Sequence, residues 1–434
     1  MKKTVSAILI MLILLSAAAV MAAAPETKSG SVILAAQNGS QIIYSKNPDE
    51  KLPPAELTKL MTAYTVYKIY GSDVVITVPE TISEYTNSME TSMNLKPGEE
   101  IKTSSLICGM LMGQANDAAM AVALYYGGEE DFTKRMNGYA KELGMENTAF
   151  KNPTGNYDEG QYTTASDMLK LYKQFCAVGE LYPYISQSSV TLDATNMSPQ
   201  RTYWTKNHLM SRFIYFDYIY DYATAGISSS SSRGGYSVIS SASKGTKDLI
   251  CIAMDSVFEN GVNYSMTDAS SLFNYGFDEF TTVTVVKQGD LLYEAKLKNY
   301  KGKSTLLLDA EKTLKGYITD ADAESSAQGG ADCLEKEVVL DEPLKAPIKK
   351  GDVVGKIIYK YQGNLFGEVN LIAERDVKRG AMRTIASGIG WFFGLKPVKI
   401  ILILAACIVG IFYALAANTL SKTRKKRKRQ KRRN

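Results

Sequence analysis

One histidine and five cysteines are all that 434 residues hold of the side chains that most often carry metal or redox chemistry. Cys108, Cys176, Cys251, Cys333 and Cys407 form no C-x-x-C pair, and Cys407 lies in an apolar run, so neither a zinc site nor a disulfide framework is legible. His208, in Lys206-Asn207-His208-Leu209, has no serine or cysteine partner recognisable in the sequence and reads as a structural or surface residue. No metal or organic cofactor is implied. There is no internal repeat, and the one low-complexity piece, Ser228 to Ser232, follows a glycine and reads as a flexible loop.

Positive charge is scarce in the body of the chain. The formal net charge of +5 rests on ten Lys and Arg between Lys422 and Arg433 and on Lys2 and Lys3; without these, 38 basic residues face 45 acidic ones, about −7. A mildly acidic body leaves no footprint for nucleic acid. With 45% hydrophobic and 22% charged residues, the chain is long enough for two or three globular domains.

Both ends have membrane character. Residues 1–24 combine Lys2 and Lys3, an apolar run from Ile8 to Leu15 and the small residues Ala22-Ala23-Ala24, the layout of a secretory signal peptide; an uncleaved anchor is the alternative. Ile400 to Ala417 is 18 residues without a charge, preceded by Trp391, Phe392 and Phe393 and followed by the basic tail. That pattern predicts a membrane helix over 400–418 with residues 419–434 cytoplasmic and the body outside; a nucleic-acid or nuclear-targeting tail is the rival reading.

Between the ends, Ser31 to Ala36 and Gln41 to Ser45 flank Asn38-Gly39, a hairpin signal. Leu57 to Tyr70 follows Pro53-Pro54 and predicts a helix. Further helices are expected at Ser104 to Met112, Asp117 to Tyr126, Glu130 to Leu143 and Thr164 to Phe175, broken by Gly127-Gly128 and Asn152-Pro153-Thr154-Gly155. Strands at Tyr236 to Ser241 and Asp248 to Met254, then a helix at Ser265 to Tyr275, close an α/β domain over 25–280. Thr281 to Lys296, Ser304 to Leu308, Lys336 to Leu340, Val353 to Tyr361 and Gly367 to Ala373 predict a small all-β domain over 281–375, joined by a linker over 376–399 to the membrane helix.

Three short segments carry the chemistry. Glu56-Leu57-Thr58-Lys59 opens the first helix, Gln114-Ala115-Asn116 follows the second, and Thr224-Ala225-Gly226 lies ahead of the serine run. With Met93-Asn94-Leu95-Lys96-Pro97-Gly98-Glu99, Gly144 to Phe150, Asn152-Pro153-Thr154-Gly155, Thr163-Thr164-Ala165-Ser166-Asp167 and Ala346-Pro347 to Gly355, they resemble the serine D-alanyl-D-alanine carboxypeptidases of the low-molecular-weight penicillin-binding protein family, peptidase family S11, across roughly residues 28–385. The resemblance implies a transpeptidase/β-lactamase-like antiparallel sheet with helices, a β-rich C-terminal domain and a site facing peptidoglycan.

In that family Ser-x-x-Lys supplies the nucleophile and its base, Ser-x-Asn relays the proton, and Lys-Thr-Gly binds the substrate carboxylate. Here Lys59, Asn116 and Gly226 keep the pattern, while Glu56, Gln114, Thr224 and Ala225 depart from it. A carboxylate is a poor nucleophile toward an amide, and an amide cannot relay a proton as a hydroxyl does. Thr58 is one residue from Lys59, about 100° around the helix, and points away. Glu56 and Lys59, at i and i+3, are expected to pair as a salt bridge. Three functions remain open: a membrane-anchored pseudoenzyme that binds peptidoglycan stem peptide or a cell-wall synthesis protein, a working hydrolase with another nucleophile, and an activator of a related enzyme.

Overall fold

The computed structural model describes residues 24–86, 91–212, 216–297, 300, 305–327, 330–341, 344–378 and 396–430. Residues 1–23, where the signal peptide is expected, and most of the 376–399 linker lie outside these. The chain divides into two compact units, one of residues 1–287, 312–337 and 357–369 and one of residues 288–311, 338–356 and 370–434.

The first unit is built on a five-stranded antiparallel sheet. Strands β1 (Ser31–Ala36) and β2 (Ile42–Lys46) form the Asn-Gly hairpin, and β3 (Ala223–Ser231), β4 (Gly235–Lys244) and β5 (Lys247–Ser256) complete the order β2-β1-β5-β4-β3. Strand β1 is buried along its whole length, which suits Val-Ile-Leu-Ala-Ala at the centre of a layered domain. Strand β3 is at the sheet edge, so the backbone groups on its outer side are free to bond with whatever lies beside them.

Helices α1 (Thr58–Tyr70), α2 (Thr103–Leu111), α3 (Asn116–Tyr126), α4 (Glu129–Glu142) and α5 (Ala165–Ala177) cover one side of the sheet, and α6 (Tyr264–Asp278) packs against β4 and β5. Helix α1 is buried from Thr58 to Val66, and a helix enclosed all round has to satisfy its polar side chains internally. Two of them find the Asn152–Gly155 turn: Thr62 Oγ1 donates to the Pro153 carbonyl at 2.6 Å and Lys59 Nζ to the Thr154 carbonyl at 2.6 Å. Asn152 Oδ1 ties that turn by accepting from Gly155 N–H at 2.8 Å. Gly155 has φ +91°, and a Cβ there would fall 2.0 Å from the Ala55 carbonyl oxygen, so only glycine lets the turn approach the start of the helix. Helix α5 is capped by Thr164 Oγ1, which accepts from Asp167 N–H at 3.1 Å. The serine run is strand, not loop: Ser228, Ser229, Ser230 and Ser231 pair with Val238, Ser237, Tyr236 and Gly235 of β4.

Strand β6 (Phe280–Val286) pairs antiparallel with β9 (Leu314–Thr319) in the first unit. In the second unit β7 (Leu291–Lys296) pairs with β8 (Thr305–Ala310), whose end pairs with Leu371, Ile372 and Ala373. Strands β10 (Leu334–Leu340), β11 (Val353–Tyr361) and β12 (Asn364–Ala373) complete the β-rich region. Helix α7 (Lys396–Gln430) contains the apolar run. Among the described residues no helix is long and apolar enough to cross a membrane; the side chains at 401, 402 and 405, inside the expected span, are not among those described.

Candidate active site and its replaced residues

The chain enters α1 through a 3₁₀ turn, Ala55–Leu57, that carries Glu56. Ala55 has φ +45° and Gln114 φ +55°. Non-glycine residues in this region are strained by about 1–3 kcal/mol each; the two are Gln114 itself and the residue before Glu56. The turn corrects the expected salt bridge. Glu56 and Lys59 do not pair: the Glu56 carboxylate faces outward and Oε2 accepts from the Ser230 backbone N–H at 3.2 Å, while the Lys59 ammonium is drawn inward to the Thr154 carbonyl.

Gln114, in the loop between α2 and α3, reaches the same strand. Its Nε2 donates to the Ser228 carbonyl at 2.6 Å, and its own carbonyl accepts from Thr91 Oγ1 at 2.6 Å. Residues 228 and 230 are two apart on one strand, so their outward backbone groups share an edge. Glu56 and Gln114 therefore fasten the helical side to the outer edge of β3, at an N–H and at a carbonyl where a ligand backbone would otherwise pair.

Beside these bonds lies a cleft of about 280 Å³ lined by Thr91, Gln114, Lys206, His208, Ser228, Ser229, Ser230 and Tyr236, with Asn263 and Met266 at the start of α6. Thr224, Ala225 and Gly226 do not line it. Ala225 is fully buried with its carbonyl accepting from Ser240 Oγ at 2.9 Å, and a Cβ on Gly226 would meet the Ile239 carbonyl at 2.3 Å. The part of β3 that meets the cleft is the serine run. His208 is likewise a cleft residue. Neither was read from the sequence, where the serine run looks like a flexible loop and His208 like a structural or surface residue.

Asn116 begins α3; its N–H donates to the Thr91 carbonyl at 2.9 Å, and its side-chain Oδ1 is buried without a partner among the described residues. Thr58 is completely buried and its hydroxyl also lacks a partner, so it supplies no nucleophile to the cleft. Burial lowers the Lys59 pKa from its usual 10.5 to about 8, against the attraction of Glu56, which raises it. Burial also lowers the His208 pKa to about 4, aided by Lys206 and opposed by Asp217, so the imidazole is neutral at pH 7.

The Lys59 shift has a measurable consequence. Between about pH 8 and 10.5 the unfolded chain holds a proton that the folded chain has released, so stability rises with pH across that window. Relative to Lys59→Met, the native chain should gain about 3 kcal/mol between pH 7 and pH 10.5 in denaturant melts. Comparison with the variant removes the contribution of Lys173, which burial also brings to about 8. A difference that does not change with pH would show that Lys59 does not titrate in this range.

Residues 18–257 match the family profile described as D-alanyl-D-alanine carboxypeptidase. The chain belongs to that family. Residues 280–379 match the profile of the penicillin-binding protein 5 C-terminal domain. Among curated relatives, the D-alanyl-D-alanine carboxypeptidase DacC of Escherichia coli is 30% identical over 369 residues, covering 82% of this chain and 86% of the relative. DacF of Bacillus subtilis is 29% identical over 363 residues, covering 82% and 87%. Penicillin binding protein 5 from Haemophilus influenzae has the same fold, with a TM-score of 0.65 at 24% identity over 82% of this chain and 99% of that one.

Proposed function

We propose that this carboxypeptidase homologue is a catalytically inactive binding module of the cell wall, held at the membrane by its C-terminal helix with its body outside. The observation that carries the first part is the paired capture of the β3 edge: Glu56 stands where the family's nucleophilic serine is expected and is bonded to Ser230, and Gln114 stands at the second serine and is bonded to Ser228. Acyl transfer needs a nucleophile beside Lys59, and among the described residues the Lys59 ammonium is hydrogen-bonded to the Thr154 carbonyl and to no hydroxyl. Loss of the nucleophile alone typically costs about 10⁶ in kcat, and here the proton relay and the strand cation are replaced as well. Support for membrane anchoring comes from the 18-residue uncharged run and the ten basic residues that follow it.

The ligand proposed is the peptidoglycan stem peptide, because the cleft is retained beside the replaced residues. The full-length chain in detergent, incubated with fluorescent penicillin and analysed by intact mass, should stay unlabelled. A penicilloyl adduct would overturn the inactive reading, and the peptide bearing it would identify the nucleophile.

A further inference from the structure

A second depression, of about 570 Å³, opens where β3 turns into β4 and where β5 ends, and Ser230 and Tyr236 line both it and the cleft. Its volume falls within the range of about 300–1,000 Å³ usual for small-molecule sites. Large apolar groups face solvent there: Phe258 is 53% exposed and Val257 49%, and Tyr157, beside it, 51%. The rings are held in place. Phe258 belongs to a short hairpin, paired with Asn263, and its ring lies 5.6 Å from that of Tyr236, while Tyr157 carries the Arg233 guanidinium 4.9 Å over its ring. Rings fixed by a neighbour and still exposed form a platform for a flat apolar surface.

Two opposite charges accompany the rings. Arg233, in the β3–β4 turn, and Asp255, near the end of β5, both line the depression, and neither side chain forms an ion pair or hydrogen bond among the described residues. The Asp255 backbone is pinned, its carbonyl accepting from Gly30 N–H at 3.1 Å and its N–H donating to Ser237 Oγ at 3.3 Å. Its carboxylate lies against Gly30, where a Cβ would fall 2.8 Å from Oδ2. A polyanion or a polycation would gain at one of these charges what it loses at the other. A neutral ligand rich in hydroxyl and amide groups satisfies both, since the guanidinium donates and the carboxylate accepts.

We propose that this depression is a saccharide site that takes a neutral N-acetylated hexosamine unit of a glycan strand. A pyranose has both surfaces the residues call for: a face of C–H groups to lie on Phe258 and Tyr236, and a rim of hydroxyls to bond with Arg233 and Asp255. Val257 meets the acetyl methyl. A purely apolar peptide side chain would cover the same rings but leave the two charges beside it without partners. Because Ser230 and Tyr236 also line the cleft, a glycan in the depression and a peptide in the cleft are adjacent parts of one polymer. The assignment goes beyond the peptide-binding reading above and does not depend on it.

The test is a calorimetric titration of the full-length chain, in a detergent without a sugar headgroup, with the tetrasaccharide of N-acetylglucosamine and separately with N-acetyl-L-lysyl-D-alanyl-D-alanine. The tetrasaccharide should bind the native chain. Phe258→Ala and Arg233→Ala, both at exposed positions, should each weaken it by about tenfold, the order of one stacked ring or one charge-assisted contact. Phe258→Trp should retain it, and raised salt should leave it nearly unchanged. No tetrasaccharide binding, binding that survives both alanine variants, or a steep loss with salt overturns the inference whatever the tripeptide does. Tetrasaccharide binding without tripeptide binding upholds it and overturns the peptide reading of the cleft.

Discussion

Placing serine at 56 and 114, lysine at 228, threonine at 229 and glycine at 230 should turn the unlabelled chain into one that penicillin acylates. The argument starts from Lys59. Its amine is buried at the first turn of α1 and its pKa is already near 8, so a useful fraction is neutral at pH 7 to 8 and able to take a proton. Glu56→Ser removes the one charge that raises this pKa, so the neutral fraction grows as the hydroxyl appears. The serine oxygen then attacks the β-lactam carbonyl, the amide C–N bond opens, and the proton held by Lys59 goes to the departing nitrogen.

The placement of the strand substitutions separates geometry from sequence pattern. Ser228, Ser229 and Ser230 meet the cleft, whereas Ala225 is fully buried and Gly226 packs against the Ile239 carbonyl. Lysine and threonine at 224 and 225, with the same two serines, should therefore give no gain over the serines alone, and Ala225→Thr should overpack the sheet. The restored cleft variant should form the adduct within minutes by intact mass, an increase of the order of 10⁶ over the native chain. A folded variant that remains unlabelled would show that the backbone, and not only the side chains, has left the catalytic arrangement.

Much of the scaffold was legible because its signals are local. The Asn38-Gly39 turn predicts the β1–β2 hairpin, and hydrophobic spacing with Gly and Pro breaks predicts α1 to α6 within a few residues. Strand β3 was not legible: its four serines have low strand propensity, and their conformation comes from pairing with β4, a tertiary effect no local pattern encodes. Thr224-Ala225-Gly226 lies on the same strand, but it is the later serines of β3 that meet the cleft. The missing Glu56–Lys59 pair has a related cause. The i, i+3 rule assumes one continuous α-helix, and the 3₁₀ turn at Ala55–Leu57 breaks that assumption.

Arg201→Ala should destabilise the protein by about 3–5 kcal/mol, because it strands a buried carboxylate. Glu99 is wholly buried, and Arg201 meets it through two nitrogens, at 2.8 Å and 3.1 Å, while its Nε donates to the Met93 carbonyl at 3.0 Å. Burial raises the Glu99 pKa, but Arg201, Thr195 Oγ1 at 2.7 Å and the Lys96 N–H outweigh it and hold the carboxyl below its usual value. The native chain therefore keeps this contribution above the ordinary carboxylate range and loses it as pH falls through the lowered value. In Arg201→Ala burial dominates and the carboxyl takes up a proton more readily, so the deficit against the native chain should narrow between pH 7 and pH 4 in urea melts. A cost below about 1 kcal/mol, or a deficit that widens in acid, would show that the pair is not what holds this segment. The segment matters to the cleft because Asp117 accepts from Met93 N–H at 2.8 Å and Leu95 N–H at 3.0 Å, and Thr91 just before it holds the Gln114 carbonyl. The ion pair thus secures the wall from which Gln114 reaches β3, and a binding module needs that wall as much as an enzyme would.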